Sequence, residues 1–501
     1  MDNNIENTDI NDIADVNEQI AIRIEKLKTL KENGNDPFAK TIFDVSAFTA
    51  EIKDNFETME GQNVSIAGRI MGWRDMGKAN FIDIADAKGR IQVYVKIDDI
   101  GQENFENLKL WDIGDIIGIT GLVFRTKRGE ISIHSHSLTL LSKSLRQLPE
   151  KWHGLTDTEI RYRQRYVDLI ANPDVRKTFY TRSKIMTIIR KILDKRGYLE
   201  VETPVLHIQP TNANARPFKT HHNTLDIPMY LRVELELALK RLIVGGIDRV
   251  YEIGRIFRNE GMSVKHNPEF TMIELYEAYT DYNGMMAIAE EIFMTIADEL
   301  FDGNRVVNYQ GVEIDFSKSF ERITMIDAVK KYANVDFNEI QTDEEAVLAA
   351  KKAGVEFPAA TRGDIINAFF EEFAEEKLIQ PTFVTDYPVE ISPLTKRTSY
   401  DQRLTERFEL FMYGREMGNA YSELNDPIDQ RKRFVEQAKI KYGEGEFEID
   451  EDFIMAIEYG MPPTGGMGIG IDRLVMLFTD SASIRDVLFF PTMKPINENK
   501  N

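Results

Sequence analysis

Hydrophobic and polar positions change period several times along the chain, and each change marks a different kind of element. Ile20, Ile24, Leu27 and Leu30 recur at helical spacing until Asn33-Gly34 and Asp36-Pro37 break the run, so residues 1–60 read as an acidic tail followed by a helical segment. From Asn63 the period falls to two. Val64, Ile66 and Ile70 predict one strand, and Phe81, Ile84, Ile91, Val93 and Val95 predict the next stretch, with a turn at Gly89. Ile116, Ile117, Ile119, Leu122, Val123, Ile131 and Ile133 continue the pattern around Gly118, Gly121 and Gly129. About five short strands in residues 61–148 fit a small barrel, with a β-sandwich as the alternative on periodicity alone.

Residues 149–176 form a charged connector in which Arg161, Arg163 and Arg165 alternate before Tyr166, and a remaining domain runs over 177–497. There Ile185, Ile188, Ile189 and Ile192 predict an amphipathic helix over Thr178 to Arg196. Residues 249–258 and 269–278 alternate like strands on either side of a polar loop, which predicts a long antiparallel hairpin. A second hairpin is predicted over Phe408 to Leu424, turning near Gly414, and the Ala/Glu-rich segment 312–380 reads as a helical insertion.

Composition narrows the class. At 501 residues and 42% apolar content the chain has material for two to four domains. No run approaches the ~18 consecutive apolar residues of a membrane-spanning helix. Cysteine is absent, which excludes disulfides, thiol catalysis and Cys-ligated zinc. The acidic N-terminus fits neither a secretory signal nor an Arg-rich transit peptide, so a soluble cytoplasmic protein is expected. The net charge of −21 argues against indiscriminate polyanion binding. Residues 61–148, however, carry 12 Lys/Arg against 10 Asp/Glu, which leaves room for a local RNA site on a barrel of the oligonucleotide-binding type.

Ionisable residues inside the predicted strands point to chemistry, because such groups are costly in an apolar sheet unless paired or used. Glu252 and Arg258 share a face of the first hairpin strand; Phe270, Met272, Glu274 and Tyr276 share a face of the second. Structural ion pairing is the alternative for these charges. In the second hairpin Glu409 and Glu416 come from opposite arms, and two carboxylates without His or Cys suit an oxygen-loving cation such as Mg²⁺ bridging phosphates. Asn419, Tyr421 and Glu423 follow on one face. The run Gly465-Gly-Met-Gly-Ile-Gly-Ile-Asp-Arg473 leads from loop to strand to helix, with Arg473 placed to grip phosphate oxygens.

Together these elements resemble the three signature motifs of class II aminoacyl-tRNA synthetases: Gly197-Tyr-Leu-Glu-Val-Glu-Thr-Pro204, Phe257-Arg-Asn-Glu260 with its hairpin, and Gly468-Ile-Gly-Ile-Asp-Arg473. Within that class the chain is similar to lysyl-tRNA synthetases of the bacterial type. The similarity is carried by Arg161-Tyr-Arg-Gln-Arg-Tyr-Val-Asp168, Ala215-Arg-Pro-Phe218, His221-His-Asn223, the stretch from His266 to Tyr276, and Tyr421-Ser-Glu-Leu-Asn425. The resemblance implies an α+β fold: an N-terminal OB-fold anticodon-binding barrel and an antiparallel catalytic sheet flanked by helices, in a homodimer that charges tRNA. It implies ATP as co-substrate, Mg²⁺ held by Glu409 and Glu416, and Arg258 and Arg473 as the catalytic arginines. Glu260, His266, Phe270 and Glu409 would seat ATP. Glu274 and Glu423 would receive the lysine side-chain ammonium, with Tyr276 and Tyr421 around its stem, Asn419 at its carboxylate and Glu236 at its α-amino group. In the barrel, Arg69, Phe81, Gln92 and Glu130 stand where the family contacts the anticodon; for Phe81 a place in the barrel core is the alternative.

The chain departs from the family pattern twice. Thr211-Asn-Ala-Asn214 replaces a small-residue stretch, and Glu234 replaces an alanine two positions before Glu236. Both departures fall beside the expected α-amino subsite. Lysine attachment to tRNA is the leading reading. The alternatives are a paralogue for another diamino acid or another acceptor, and a catalytically silent RNA-binding scaffold, against which the joint presence of Arg258, Glu409, Glu416 and Arg473 argues.

Overall fold

The computed structural model describes residues 18–149, 155–209, 215–442 and 449–496. The stretch Thr211–Asn214 and the acidic residues before position 18 lie outside these. The chain divides into two compact units, Met1–Leu155 and Thr156–Asn501. No helix among the described residues is long and apolar enough to cross a membrane.

In the first unit the helix Glu18–Glu32 buries Ile20, Ile24 and Leu30 and is followed by Gly34 at φ +75°, a conformation open to glycine at little cost. Strands β1 (Asn63–Asp75), β2 (Ala79–Ala85), β3 (Arg90–Lys96), β4 (Ile116–Arg125) and β5 (Ile131–Ser142) close into a barrel in the order β1-β2-β3-β5-β4. Closure excludes the sandwich. The period-two residues Ile66, Ile82, Ile84, Val93, Val95, Ile119 and Ile133 fill the interior. A bulge between Ile70 and Gly72 lets the long β1 turn from β4 towards β2.

The second unit is built on an eight-stranded sheet. Its strands are β6 (Leu199–Glu200), β10 (Arg249–Phe257), β11 (Glu269–Ala278), β14 (Glu321–Thr324), β15 (Thr382–Pro388), β16 (Leu404–Met412), β17 (Arg415–Ser422) and β18 (Thr464–Gly470). Small accessory strands are β7 (Leu206–His207), β8 (Lys219–His222) and β9 (Ile227–Leu231), which pair together, and β12 (Val306–Tyr309) with β13 (Val312–Asp315). The main order is β14-β15-β16-β17-β18-β11-β10-β6, antiparallel except at its two edges. Both predicted hairpins form. The helix Pro173–Lys195 lays its isoleucine stripe into a core shared with the helices Tyr282–Leu300 and Ile471–Phe478 and with Ile273, Leu275, Phe408, Leu410, Met467 and Ile469 of the sheet. That fixes one face of the central strands as core and leaves alternate residues for the other.

Segment 312–380 differs from the helical insertion expected. It opens with β13 and the sheet's edge strand β14; helices follow only from Met325, at Met325–Ala333, Asp343–Ala353 and Arg362–Phe369. Val-Glu-Ile-Asp alternates over four residues only and Glu-Arg-Ile-Thr has a single aliphatic residue, so the helical composition after them dominates the pattern.

Candidate active site

Strand register assembles the site. Glu252, Glu274, Gly468, Asn419 and Glu409 stand opposite one another on β10, β11, β18, β17 and β16, and two residues further along Tyr276, Gly466, Tyr421 and Arg407 form a second such row. Residues directly opposite share a face, so the predicted residues of three separate motifs meet on one side of the sheet. They surround a cavity of about 310 Å³ lined by Glu236, Arg258, Glu260, His266, Phe270, Glu274, Tyr276, Glu416, Asn419, Tyr421 and Arg473. A second cavity, of about 510 Å³, is lined by Glu409, Arg407 and Ser392 and shares Glu234, Arg258, Glu260, Glu416, Asn419 and Tyr421 with the first.

The room comes from glycine. Along β18, Gly466, Gly468 and Gly470 line the cavity. A Cβ on Gly466 would collide with the Glu423 carboxylate and the Tyr276 ring, whereas one on Gly468 would come no closer than 3.1 Å, to Met272.

One end of the cavity is acidic. The fully buried Lys240, not singled out from sequence, pairs with both Glu236 and Glu423. Its sequence signal is the Glu-x-x-x-Lys spacing on the helix Glu236–Val244. The Tyr421 hydroxyl donates to Glu236 (2.7 Å), and Glu274 accepts from the Tyr276 hydroxyl (3.1 Å) and the Leu235 N–H (3.2 Å). Burial, then the neighbouring Glu236, push the Glu274 carboxyl up to about 7, against those two hydrogen bonds. Burial likewise drives Glu423 well above the carboxylate range, with Lys240 opposing, and its Oε1 has no hydrogen-bond partner among the described residues.

The other end is cationic. The Arg258 guanidinium lies over the Phe270 ring at 5.3 Å, and its buried Nε has no partner among the described residues. Arg473, in the first turn of the helix Ile471–Phe478, donates to the Glu416 carbonyl (2.5 Å) and carboxylate (3.3 Å). His266 bonds Ser263 at 2.9 Å; burial, then Arg473, hold its imidazole below the ordinary value. Glu260 accepts from the Arg216 N–H at 3.3 Å. Glu252 belongs to neither end: it pairs with Arg232 at 2.6 Å and accepts from Thr203, a structural ion pair.

Glu409 and Glu416 both line the second cavity. Burial pushes Glu409 up to about 7; Arg407, 2.6 Å away, lowers it and Glu416 raises it. Two mutually repelling carboxylates fit a hard divalent cation. Among the described residues no group of three or more His, Asp or Glu converges on one point, so such a cation would complete its shell with phosphate and water oxygens. Asn419 accepts from Arg407 at 3.1 Å through its side-chain oxygen, leaving its amide N–H groups for the cavity. Glu234 lines both cavities and makes no hydrogen bond or ion pair with any described residue.

Residues 157–494 match the family described as tRNA synthetases class II (D, K and N). The chain belongs to the class II tRNA synthetases. Among similar proteins, the lysine-tRNA ligase of Thermoanaerobacter pseudethanolicus is 56% identical over 491 residues, covering 97% of this chain and 98% of that protein. That of Clostridium novyi is 57% identical over 488 residues (96% of each), and that of Clostridium perfringens 55% over 486 (96% and 97%). Residues 64–141 match an OB-fold nucleic acid binding domain.

On this class II synthetase's barrel, Phe81 is half-buried on the outer side, between buried Asn80 and Ile82, and not in the core. It starts an aromatic row: Phe81–Tyr94 at 5.1 Å, Tyr94–His134 at 5.2 Å, Phe124–His134 at 5.8 Å and His134–His136 at 5.9 Å. Gln92 shares the face of Tyr94 and accepts weakly from Ser132 (3.4 Å). Glu130 is exposed at the β4–β5 turn. Arg69 donates to the Gly114 carbonyl (2.6 Å), while Arg74, not singled out from sequence, stands over Phe81 at 5.7 Å. Apart from the His134–His136 pair, two residues apart on β5, the row gives no sequence signal as a group because its rings come from different strands.

Proposed function

We propose that the protein activates L-lysine with ATP to lysyl-adenylate and transfers the lysyl group to the 3′ end of tRNA. One observation carries the reading: an acidic, tyrosine-walled slot opens into the same cavity as an arginine stacked on a phenylalanine with a buried nitrogen left unpaired. A primary ammonium on an aliphatic stem satisfies the first and a carboxylate or phosphate the second.

The amino-acid carboxylate attacks the α-phosphorus of ATP in line and pyrophosphate leaves. The nucleophile is already ionised, so positioning and charge neutralisation supply the rate and no general base is required. Arg258 bridges the carboxylate and the α-phosphate, Phe270 stacks on adenine beside Glu260 and His266, and Arg473 takes the polyphosphate, exchanging its bonds to Glu416. Glu409 and Glu416 would hold Mg²⁺, which would supply neutralisation of phosphate charge. Glu274 and Glu423 take the side-chain ammonium, Tyr276 and Tyr421 flank the stem, Asn419 meets the substrate carboxylate and Glu236 lies at the α-amino end. The barrel's aromatic row offers stacking platforms for a single-stranded anticodon, with Arg69, Gln92 and Glu130 as polar contacts.

A homodimer is supported by the exposed apolar residues Leu199, Leu206 and Ile208, which follow one another closely in and just after the first signature motif (50%, 44% and 67% exposed). The domain division proposed from sequence places the barrel at 61–148 and the catalytic part at 177–497, and the cytoplasm is the compartment that supplies tRNA and ATP.

ATP–pyrophosphate exchange tests the reading. Exchange should depend on L-lysine, and Glu274→Gln should lower kcat/KM for lysine ~100-fold or more while ATP binding stays measurable. Normal lysine activation by that variant refutes the pocket assignment.

A further inference from the structure

We propose that Glu234 is a specificity-determining residue of the amino-acid site, receiving the substrate's α-ammonium beside Glu236; the proposal rests on the lysine-activating reading above. Glu234 immediately precedes the helix Glu236–Val244, yet its side chain does not cap it: Leu235 is the N-cap residue, without a side-chain capping bond. Instead it lines the wall between the two cavities, alongside Arg258. Glu274 and Tyr276 line only the first. Glu234 therefore stands between the acidic slot, where Glu236 and Glu274 act on it, and Arg258.

The Lys240 ammonium is taken up by Glu236 and Glu423, and Glu234 stands outside those ion pairs. Arg258 remains for the carboxylate. Lys240 and the Tyr421 hydroxyl both engage Glu236 through Oε1. Glu234, beside it on the cavity wall, has neither carboxylate oxygen engaged by a described residue and can meet an incoming α-ammonium with both. An unpartnered carboxylate in such surroundings is costly, and an ammonium removes the cost.

The groups acting on it come from several elements: Glu236 and Lys240 from the helix, Glu274 from β11 and Arg258 from the end of β10. Glu260, Arg407, Glu409 and Glu416 line the second cavity with it. Burial first, then Glu236 and Glu274, push its carboxyl up to about 8, with Lys240 and Arg258 opposing. The empty site thus holds a proton that the α-ammonium displaces.

A ligand-deletion cycle on the full chain tests this. L-Lysine and 6-aminohexanoate, which lacks the α-amine, are compared as ligands of wild type and Glu234→Gln by calorimetry and by inhibition of exchange. The substitution should weaken lysine about tenfold and leave 6-aminohexanoate within about twofold. Equal weakening of both ligands, or of neither, overturns the proposal. Independently of the analogue, the lysine KM of Glu234→Gln relative to wild type should grow from pH 7 to pH 9, as Glu234 ionises; a flat ratio overturns it. Should wild type show no lysine-dependent exchange, the parent reading falls and takes this one with it. Normal exchange with unchanged lysine affinity in the variant removes this proposal alone.

Discussion

A single buried ammonium, Lys240, decides how much negative charge the acidic end of the cleft carries. It is fully enclosed and pairs with two carboxylates, and removing one partner of a buried pair costs far more than the pair contributes net. Lys240→Met should therefore destabilise the Thr156–Asn501 unit by about 3–5 kcal/mol, seen in denaturant melts, with L-lysine restoring part of the loss as its ammoniums replace the missing one. A variant that melts like wild type would mean that Glu236 and Glu423 share a proton instead. Glu274 supplies the pH counterpart. Its folded carboxyl sits at about 7 against an ordinary 4.5, so the folded chain binds the proton more tightly than the unfolded one. The stability this confers is present below about pH 4.5 and is lost as pH rises through about 7, a tenfold difference in proton affinity being worth about 1.4 kcal/mol. Melting of the ligand-free protein between pH 5 and 8 should show that decline, and Glu274→Gln should flatten it. Of these residues, Glu274 is legible from the alternation of β11, whereas the Glu236–Lys240 spacing gains meaning only once the helix Glu236–Val244 is known. That Glu423 closes the same network is not legible, because nearly two hundred residues separate it from Lys240 and the two meet only once the helix Glu236–Val244 packs by the end of β17.

At the scale of the element, β18 shows how a strand can hold a core and make a cavity at once. Met467 and Ile469 pack inward while Gly466, Gly468 and Gly470 leave the opposite side open, a period of two written in glycine instead of polar residues. From sequence alone the run reads as a glycine-rich approach to a nucleotide; the alternation of glycine with apolar residues is visible there, and its use emerges only from which strands flank it. Gly466→Ala places a methyl against Glu423 and Tyr276, whereas Gly468→Ala meets Met272 at 3.1 Å and nothing else closer than Glu274 at 3.5 Å. The first should raise the lysine KM at least tenfold with the ATP KM little changed, and the second should change the lysine KM less than threefold, both read from exchange kinetics. Comparable effects at the two positions would contradict the register that places Gly466 opposite Tyr276 and Tyr421. The hairpins are predictable because their strands are adjacent in sequence with long alternating runs. β14 is not, since four residues with one aliphatic side chain carry no period and the strand exists through its parallel pairing with β15.

At the scale of the whole molecule, two units of different character share one chain. The chain as a whole carries −21 while the barrel region is close to neutral, so attraction for a polyanion is not a property of the entire surface and recognition must be local. The aromatic row Phe81, Tyr94, Phe124 and His134 is the local feature suited to unstacked bases, and it lies in a unit compact in its own right. Stacking of one base on one ring is worth about 1–3 kcal/mol. Tyr94→Ala should thus raise the KM for tRNA by roughly 5- to 150-fold in aminoacylation, while lysine-dependent ATP–pyrophosphate exchange, which needs no tRNA, stays at the wild-type level. The two readouts separate recognition from chemistry. Loss of both would make Tyr94 a structural residue whose removal spreads beyond the barrel, and loss of neither would shift anticodon contact to the polar residues Gln92 and Glu130. Raising the salt concentration should weaken tRNA binding in wild type and variant with the same slope, because the substitution removes a ring and no phosphate-contacting charge.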